Sequence, residues 1–237
     1  MKCPICSDGS DETGRVIGTL FTPVVGTPYH KCSNCDLWYQ YPFPPKIYES
    51  AAEEPGNQMS DRDKAINQSL AKWLFDNVMK KKGKVLDCGA KYSWIGKCFK
   101  DLGCEVTAID GISEVVPFSE ELGINGLCHD IEESTEPLAE TYDLIILCHV
   151  IEHFYKPKET LLKLKDLLNK GGKMFVRCPD SDSEGISRDL NPFHYSIHPC
   201  VYNQKSIENL ISQTNTFKII GSNPLLGQRD YILEKLT

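Results

Sequence analysis

Four of the eleven cysteines fall into two pairs of identical spacing, Cys3 and Cys6 in CPIC and Cys32 and Cys35 in CSNC. Two such turns present four thiolates at the corners of a tetrahedron, which suits zinc, and the chain between them can supply the strands of a ribbon. A closed shell of four thiolates leaves no position for water or substrate, so the ion expected here is structural. His30 stands close by, but four cysteines already complete the shell. So short a segment buries too little apolar surface to fold unaided, and the metal supplies much of its stability. A redox role is disfavoured because neither pair lies between a strand and a long helix.

A second group begins in VLDCGAKYSWIG, Val85 to Gly96. An apolar run ends in Asp87, Gly89 follows, and the chain then enters a helix. Ligands of open α/β sheets bind outside the carboxyl ends of the strands, so Asp87, Gly89 and the following Ala90 and Tyr92 are candidate binding residues. Asp110 ends the next strand, EVTAID, about twenty residues on, where a carboxylate can accept both hydroxyls of a ribose. The alternative for such an acid is a helix cap. Asp130, with His129 beside it, follows the third strand as a further candidate, and its alternative is again a cap or a solvated turn.

The third group is HVIEH. His149, Glu152 and His153 spell H-x-x-E-H, which elsewhere marks a metalloprotease helix with two zinc-binding histidines. Here the segment follows a buried strand, Pro157 comes soon after, and no third ligand is apparent, so a catalytic metal is disfavoured. A histidine at this place can act as a general base, because its pKa lies near the working pH, and a structural role is the alternative. Further on, the long polar stretch RCPDSDSEGISRDLNPFHYSIHPC offers Asp180, His194, Tyr195 and His198 as substrate contacts or bases. Tyr202 reads as a connector and Ser206 as a helix cap.

The elements that must carry these residues follow from periodicity. Ala65, Leu70, Trp73, Leu74 and Val78 recur at helical spacing between Asp61 and Lys82. Strands and helices then alternate through KVLDC, EVTAID, GLCHD and YDLIILC. A helix of Leu161, Leu162, Leu164, Leu167 and Leu168 follows, closed by Gly171 and Gly172, and then KMFVRC. Val-, Ile- and Leu-rich strands between helices call for a parallel sheet covered on both faces. FKIIG and DYILEKL are joined too closely for a helical crossover and should pair antiparallel. Ahead of all this, CDLWYQYPFPPKIYES reads as an extended connector packed through Trp38, Tyr39, Tyr41 and Phe43. The expected division is a ribbon and connector over 1–45 and an α/β domain over 46–237.

VLDCG, the acid ending VTAID, CHD, YDLIILCHVIEHF and GGKMFVRCP together resemble the successive motifs of class I S-adenosylmethionine-dependent methyltransferases. The cysteine segment resembles the zinc ribbon carried by some of these enzymes, notably ones that modify sugars and other small metabolites. The resemblance implies a Rossmann-like, seven-stranded, doubly wound sheet with a terminal antiparallel strand. It also implies S-adenosyl-L-methionine as cofactor, with Asp87, Gly89 and Ala90 near its methionine part, Asp110 on the ribose, and His129 and Asp130 at the adenine. Cys148 and His149 would border the transferred methyl group, Tyr92 would offer an aromatic face to the sulfonium, and the polar stretch would form a substrate lid. Where the family pattern has two further glycines this chain has Lys91 and Ser93, and a left-handed backbone at either costs on the order of 1 kcal/mol.

The bulk properties narrow the acceptor. A net charge of -7 in 237 residues disfavours nucleic acid, whose binding rests on clustered Lys and Arg. A small-molecule acceptor is expected. Sugar carbon-methylating relatives carry a further large C-terminal domain, which makes oxygen the expected acceptor atom. The longest apolar run, Leu144 to Cys148, falls far short of the ~20 residues that span a bilayer, and the scattered cysteines suit the reducing cytoplasm. An RNA methyltransferase gripping its substrate with the ribbon is one competing reading. A non-catalytic scaffold that keeps the fold is another, supported by Lys91 and Ser93, and a nicotinamide-dependent dehydrogenase is a third, disfavoured by the terminal antiparallel pair and the ribbon. Oligomeric state is not legible in these residues.

Overall fold

The computed structural model describes residues 2–6, 16–20, 28–46, 59–182, 198–225 and 227–236. The chain forms two compact units, one of Met1–Ile47, His149–Leu162 and Val176–Leu236, the other of Tyr48–Cys148 with Lys163–Phe175.

Strands β1 (Val16–Leu20), β2 (Tyr29–Cys32) and β3 (Trp38–Gln40) open the chain as an antiparallel ribbon. The β2–β3 turn closes through Cys32 N–H to the Leu37 carbonyl and Asp36 N–H to the Cys32 carbonyl, with Asp36 left-handed at φ 62°. Tyr39 is fully buried, as the connector reading requires, whereas Tyr41 is exposed and packs little. Phe43 meets Tyr155 edge-on, and the Tyr155 hydroxyl donates to the Pro44 carbonyl.

In the other unit, helix α1 (Asp61–Leu74) is capped by Ser60, whose hydroxyl accepts the Asp63 N–H, and runs into a π-helical turn over Phe75–Met79. Leu70, Ala71, Leu74 and Val78 are buried, but Ala65 and Trp73, expected on the same face, are exposed. At about 100° per residue the first four share one arc and the other two fall outside it. Then come β4 (Lys84–Cys88), α2 (Trp94–Asp101), β5 (Glu105–Asp110), α3 (Val115–Glu121), β6 (Asn125–Cys128) and β7 (Tyr142–Cys148). The β4–β5, β4–β7 and β5–β6 pairs are all parallel. Val85, Leu86, Leu144, Ile145, Ile146 and Leu147 are all shut off from solvent, which is why these strands read as unbroken apolar runs.

Helix α4 (Pro157–Asp166) stops earlier than the leucine pattern suggests, and Leu168 already belongs to β8 (Leu168–Pro179). The Tyr142 N–H takes the Leu167 carbonyl into the sheet, and Gly171 (φ 72°) and Gly172 lie inside the strand rather than after the helix. A Cβ on Gly172 would sit 2.9 Å from the Asn169 carbonyl oxygen, so the glycine pair permits this bend. The short β9 (Cys200–Val201) pairs antiparallel with β3 and gives the ribbon a fourth strand, which the sequence did not announce.

Helix α5 (Gln204–Thr214) is capped by Asn203, with Ser206 completing a capping box at the third helical position rather than serving as the cap itself. The last strands, β10 (Phe217–Leu225) and β11 (Gln228–Lys235), pair antiparallel as expected. The seven-stranded sheet has the order β10-β11-β8-β7-β4-β5-β6, so the antiparallel final strand is inserted next to the edge. This is the expected α/β, Rossmann-like architecture. No described helix is long and apolar enough to cross a membrane.

Candidate functional site

The loop after β4 is built on left-handed backbone. Gly89 (φ 70°), Lys91 (φ 43°) and Ser93 (φ 55°) all adopt it, so the two positions where glycine is missing keep the glycine conformation. The strain is offset by hydrogen bonds. The Gly89 and Ala90 N–H groups both donate to the Ile109 carbonyl, at 2.8 and 3.0 Å, and the Lys91 N–H donates to Asp110 Oδ2 at 2.9 Å. Ser93 is fully buried and shares a 2.6 Å hydrogen bond with the Ser119 hydroxyl.

Each acid near this loop has a defined partner. Asp87 is 4 % exposed, and its Oδ2 accepts the Gly96 N–H at 3.0 Å. The α2 N-cap, Ser93, makes no side-chain cap of its own, so Asp87 satisfies the first turn from a distance. Burial pushes the Asp87 carboxyl up to about 7, against the Gly96 hydrogen bond, with the charge of Asp110 adding to the rise. Asp110 ends β5 with Oδ1 on the Ile112 N–H and is also raised by burial, opposed by the amides it accepts. The His129 N–H reaches the Asp110 carbonyl at 2.7 Å, and burial lowers the His129 imidazole. Asp130 turns inward on its own loop, with Oδ1 accepting the Glu132 N–H at 2.8 Å. Tyr92 lies half-buried against Phe118, ring centroids 5.4 Å apart. Cys148, half-buried, ends β7.

In the first unit, the segment after β7 is a single 3-10 turn, Ile151–His153, not the helix of a metalloprotease. His149 is left-handed at φ 57° and exposed. Its Nδ1 lies 3.3 Å from Glu152 Oε1 and its Nε2 is 2.9 Å from Gln228 Oε1, a partner that sequence spacing gave no means of finding. Burial opposes charge on His149, but Glu152 outweighs it and holds the imidazole above the usual histidine range. Burial would raise Glu152, yet His149, with help from His153 and His198, keeps its carboxyl below the usual value. The His153 and His198 rings stand edge to face, centroids 4.8 Å apart.

The ribbon fixes the His198 segment. The Tyr29 hydroxyl donates to the His198 carbonyl at 2.6 Å, the Gln40 N–H donates to the Pro199 carbonyl at 2.9 Å, and β9 follows at once. His194 and Tyr195 lie outside the described residues. Asp180 is 3 % exposed and accepts Arg229 at 2.8 Å, so it is engaged in an ion pair rather than offered to a substrate. Tyr202 is buried, as a connector would be.

The four cysteines converge. Cys3, Cys6, Cys32 and Cys35 are buried, with their sulfurs all within 4.8 Å of one another, Cys3 to Cys35 at 3.6 Å and Cys6 to Cys32 at 3.9 Å. A tetrahedral ion with ~2.3 Å bonds to sulfur holds its ligands about 3.8 Å apart, which these distances match. The thiols titrate as a set. Cys32 is pulled down by hydrogen bonds with Cys3 and Cys35, while Cys35 is pushed well up by its contacts with Cys3 and Cys32. A divalent cation is what lets four thiolates stand side by side.

Residues 60–220 match the profile of a family described as a methyltransferase domain. The ubiquinone biosynthesis O-methyltransferase of Coxiella burnetii is 25% identical over 138 residues, a stretch covering 56% of each chain, so the match spans about half the length of that curated relative. Among solved structures, the Burkholderia thailandensis 1,6-didemethyltoxoflavin-N1-methyltransferase, with S-adenosylhomocysteine bound, superposes with a TM-score of 0.57 at 16% identity, covering 74% of this chain and 80% of its own. The N-methyltransferase NodS of Bradyrhizobium japonicum, also with S-adenosylhomocysteine, gives 0.60 at 12% identity, covering 80% and 95%. At these identities the structural likeness is one of fold.

Proposed function

Because the chain belongs to the methyltransferase-domain family, we propose that it is an S-adenosylmethionine-dependent methyltransferase acting on a small molecule, at an oxygen of a sugar or related metabolite. The observation that carries this reading is the loop Gly89–Ser93. It keeps three left-handed residues with only one glycine and ties its Lys91 amide to the acid that ends β5. A loop with no ligand to cradle would gain stability by relaxing that backbone. Relatives named for ubiquinone biosynthesis and for a toxoflavin precursor support its small-molecule part.

In this proposal Asp87 shapes the loop from beneath, Gly89, Ala90 and Tyr92 border the methionine part, and Asp110 receives the ribose hydroxyls on its remaining lone pairs. His129 and Asp130 flank the adenine, and Cys148 and His149 border the methyl group. The cofactor supplies a methyl carbon already activated by a sulfonium, so the protein mainly aligns the acceptor and removes its proton. Asp87 and Asp110 complement the positive sulfonium. His149 is the proposed base, oriented through Nδ1 by Glu152, with an acceptor hydroxyl taking the place of Gln228 at Nε2. His153 and His198 support it through Glu152, and His194 is kept as a further candidate. The cysteine cluster is proposed to hold structural zinc. Cys88, Cys104 and Cys178, buried apart from the cluster, support a reducing compartment such as the cytoplasm.

The test is incubation with methyl-labelled S-adenosylmethionine and a panel of sugars, phenols, amines and RNA. Label in an O-methyl product from the hydroxylated small molecules is expected, with loss of most activity in His149→Ala and partial rescue at raised pH. Label in RNA or only in amines would overturn the acceptor assignment.

A further inference from the structure

We propose that Glu152, His153 and His198 form a second metal site, one that takes a divalent first-row cation such as zinc in an open coordination shell. Each of the three residues offers a ligand atom, and these atoms all lie within 4.8 Å of one another. A tetrahedral ion with bonds of ~2.1 Å to nitrogen and oxygen spaces its ligands about 3.4 Å apart, so a contraction of about 1 Å completes the site.

A second observation points to the same occupant. Glu152 is 1 % exposed, and its Oε2 is a buried oxygen with no hydrogen-bond partner among the described residues. Leaving such an acceptor unsatisfied costs free energy that proteins rarely tolerate, and a carboxylate feels that cost most. The other oxygen, Oε1, faces His149. One oxygen of the carboxylate is therefore oriented by His149, the other is buried without a hydrogen bond, and a Glu152 oxygen lies within 4.8 Å of a ring nitrogen of both His153 and His198.

The backbone around the three ligands is held in place. Glu152 and His153 share the 3-10 turn, closed by the His153 N–H on the Val150 carbonyl, and the Tyr202 hydroxyl reaches the Ile151 carbonyl. His198 is held by the Tyr29 hydroxyl and by the strand pairing that follows it. Ligands on fixed backbone and a hydrogen bond behind the carboxylate are what a built site requires. One objection to a metal at H-x-x-E-H was the lack of a third ligand. The fold supplies it from the far side of the long polar stretch, and it pairs with Glu152 and His153 rather than with His149.

Donor chemistry sets the class of ion. Two imidazoles and one carboxylate suit zinc and its first-row neighbours, whereas magnesium and calcium take oxygen ligands. Three protein ligands leave a position for water or for an oxygen of a bound molecule, unlike the closed shell of four cysteines. The site stands whether or not the chain binds S-adenosylmethionine.

The experiment is titration of the full-length protein, its cysteine cluster filled with zinc, with Co²⁺ followed by absorption and calorimetry. Cobalt on nitrogen and oxygen gives weak visible bands without the strong near-ultraviolet sulfur transition, so the two sites are told apart by spectrum. One equivalent of sulfur-free cobalt is expected, bound at least tenfold more weakly in Glu152→Gln and in His198→Ala. Glu152 and His198 are both buried, so His153→Ala, at the half-buried ligand and expected to weaken cobalt alike, is the milder variant, and zinc retained on the cysteines certifies the fold of each. A wild type that takes up no sulfur-free cobalt would overturn the proposal, and so would variants that bind it as the wild type does.

Discussion

Lys91 and Ser93 hold a conformation that glycine would adopt freely, and they hold it because the residues around them supply the hydrogen bonds. Lys91→Gly should therefore stabilise the protein by up to about 1 kcal/mol in denaturant unfolding, less the extra freedom glycine gains in the unfolded chain. A destabilised variant would mean the lysine side chain contributes more than its backbone costs. Asp87 makes a second residue-level claim. Burial holds its folded carboxyl at about 7, against an ordinary value of 3.8. The native state then binds more protons than the unfolded chain between those limits, so this group's contribution to stability is full below about pH 4 and is lost as pH rises through 7. The loss is on the order of 4 kcal/mol. Asp87→Asn keeps an acceptor for Gly96 and should flatten the fall in melting temperature between pH 5 and 8; an unchanged slope would contradict the assignment. The backbone demand at Lys91 and Ser93 was legible only through the family resemblance, whose loop pattern has glycine at both positions. That Asp87 caps α2 was not, since the cap is reached through space from another element.

At the scale of elements, the ribbon and the segment around His198 are one construction. β3 pairs with β9, and Tyr29 and Gln40 hold the two residues before it. The cysteine pairs announced the ribbon, because metal-ligand spacing is a local signal. β9 is only Cys200–Val201, too short for any periodicity, so the sequence left it inside a polar stretch. The α4 boundary was missed for a related reason: Leu167 and Leu168 continue the leucine pattern, and only the pairing of Tyr142 with Leu167 shows that the chain has left the helix. If the ribbon's work is to fix that segment, removing the zinc proposed for its cysteines with a chelator should speed amide hydrogen exchange at Cys200 and Val201 by at least tenfold and leave Val85 and Leu86 unchanged. Exchange at Cys200 that ignores the metal would uncouple ribbon from segment.

For the molecule as a whole, alternating apolar strands and helices were enough to read the seven-stranded sheet and its antiparallel end, because burial on both faces leaves a continuous apolar record in sequence. The acidic balance supports the proposed small acceptor over a phosphate backbone. What sequence could not bring together were groups distant along the chain: His149 with Gln228, and Glu152 and His153 with His198. The measurement that bears most directly on the proposed function is calorimetric titration of S-adenosylmethionine into the metal-loaded protein, with Asp110→Ala alongside. Binding at one site per chain is expected, weakened at least about tenfold in the variant, since removing a charged acceptor of hydrogen bonds costs about 1.5–3 kcal/mol. A wild type that binds no S-adenosylmethionine would contradict it and leave a methyltransferase fold serving as a scaffold.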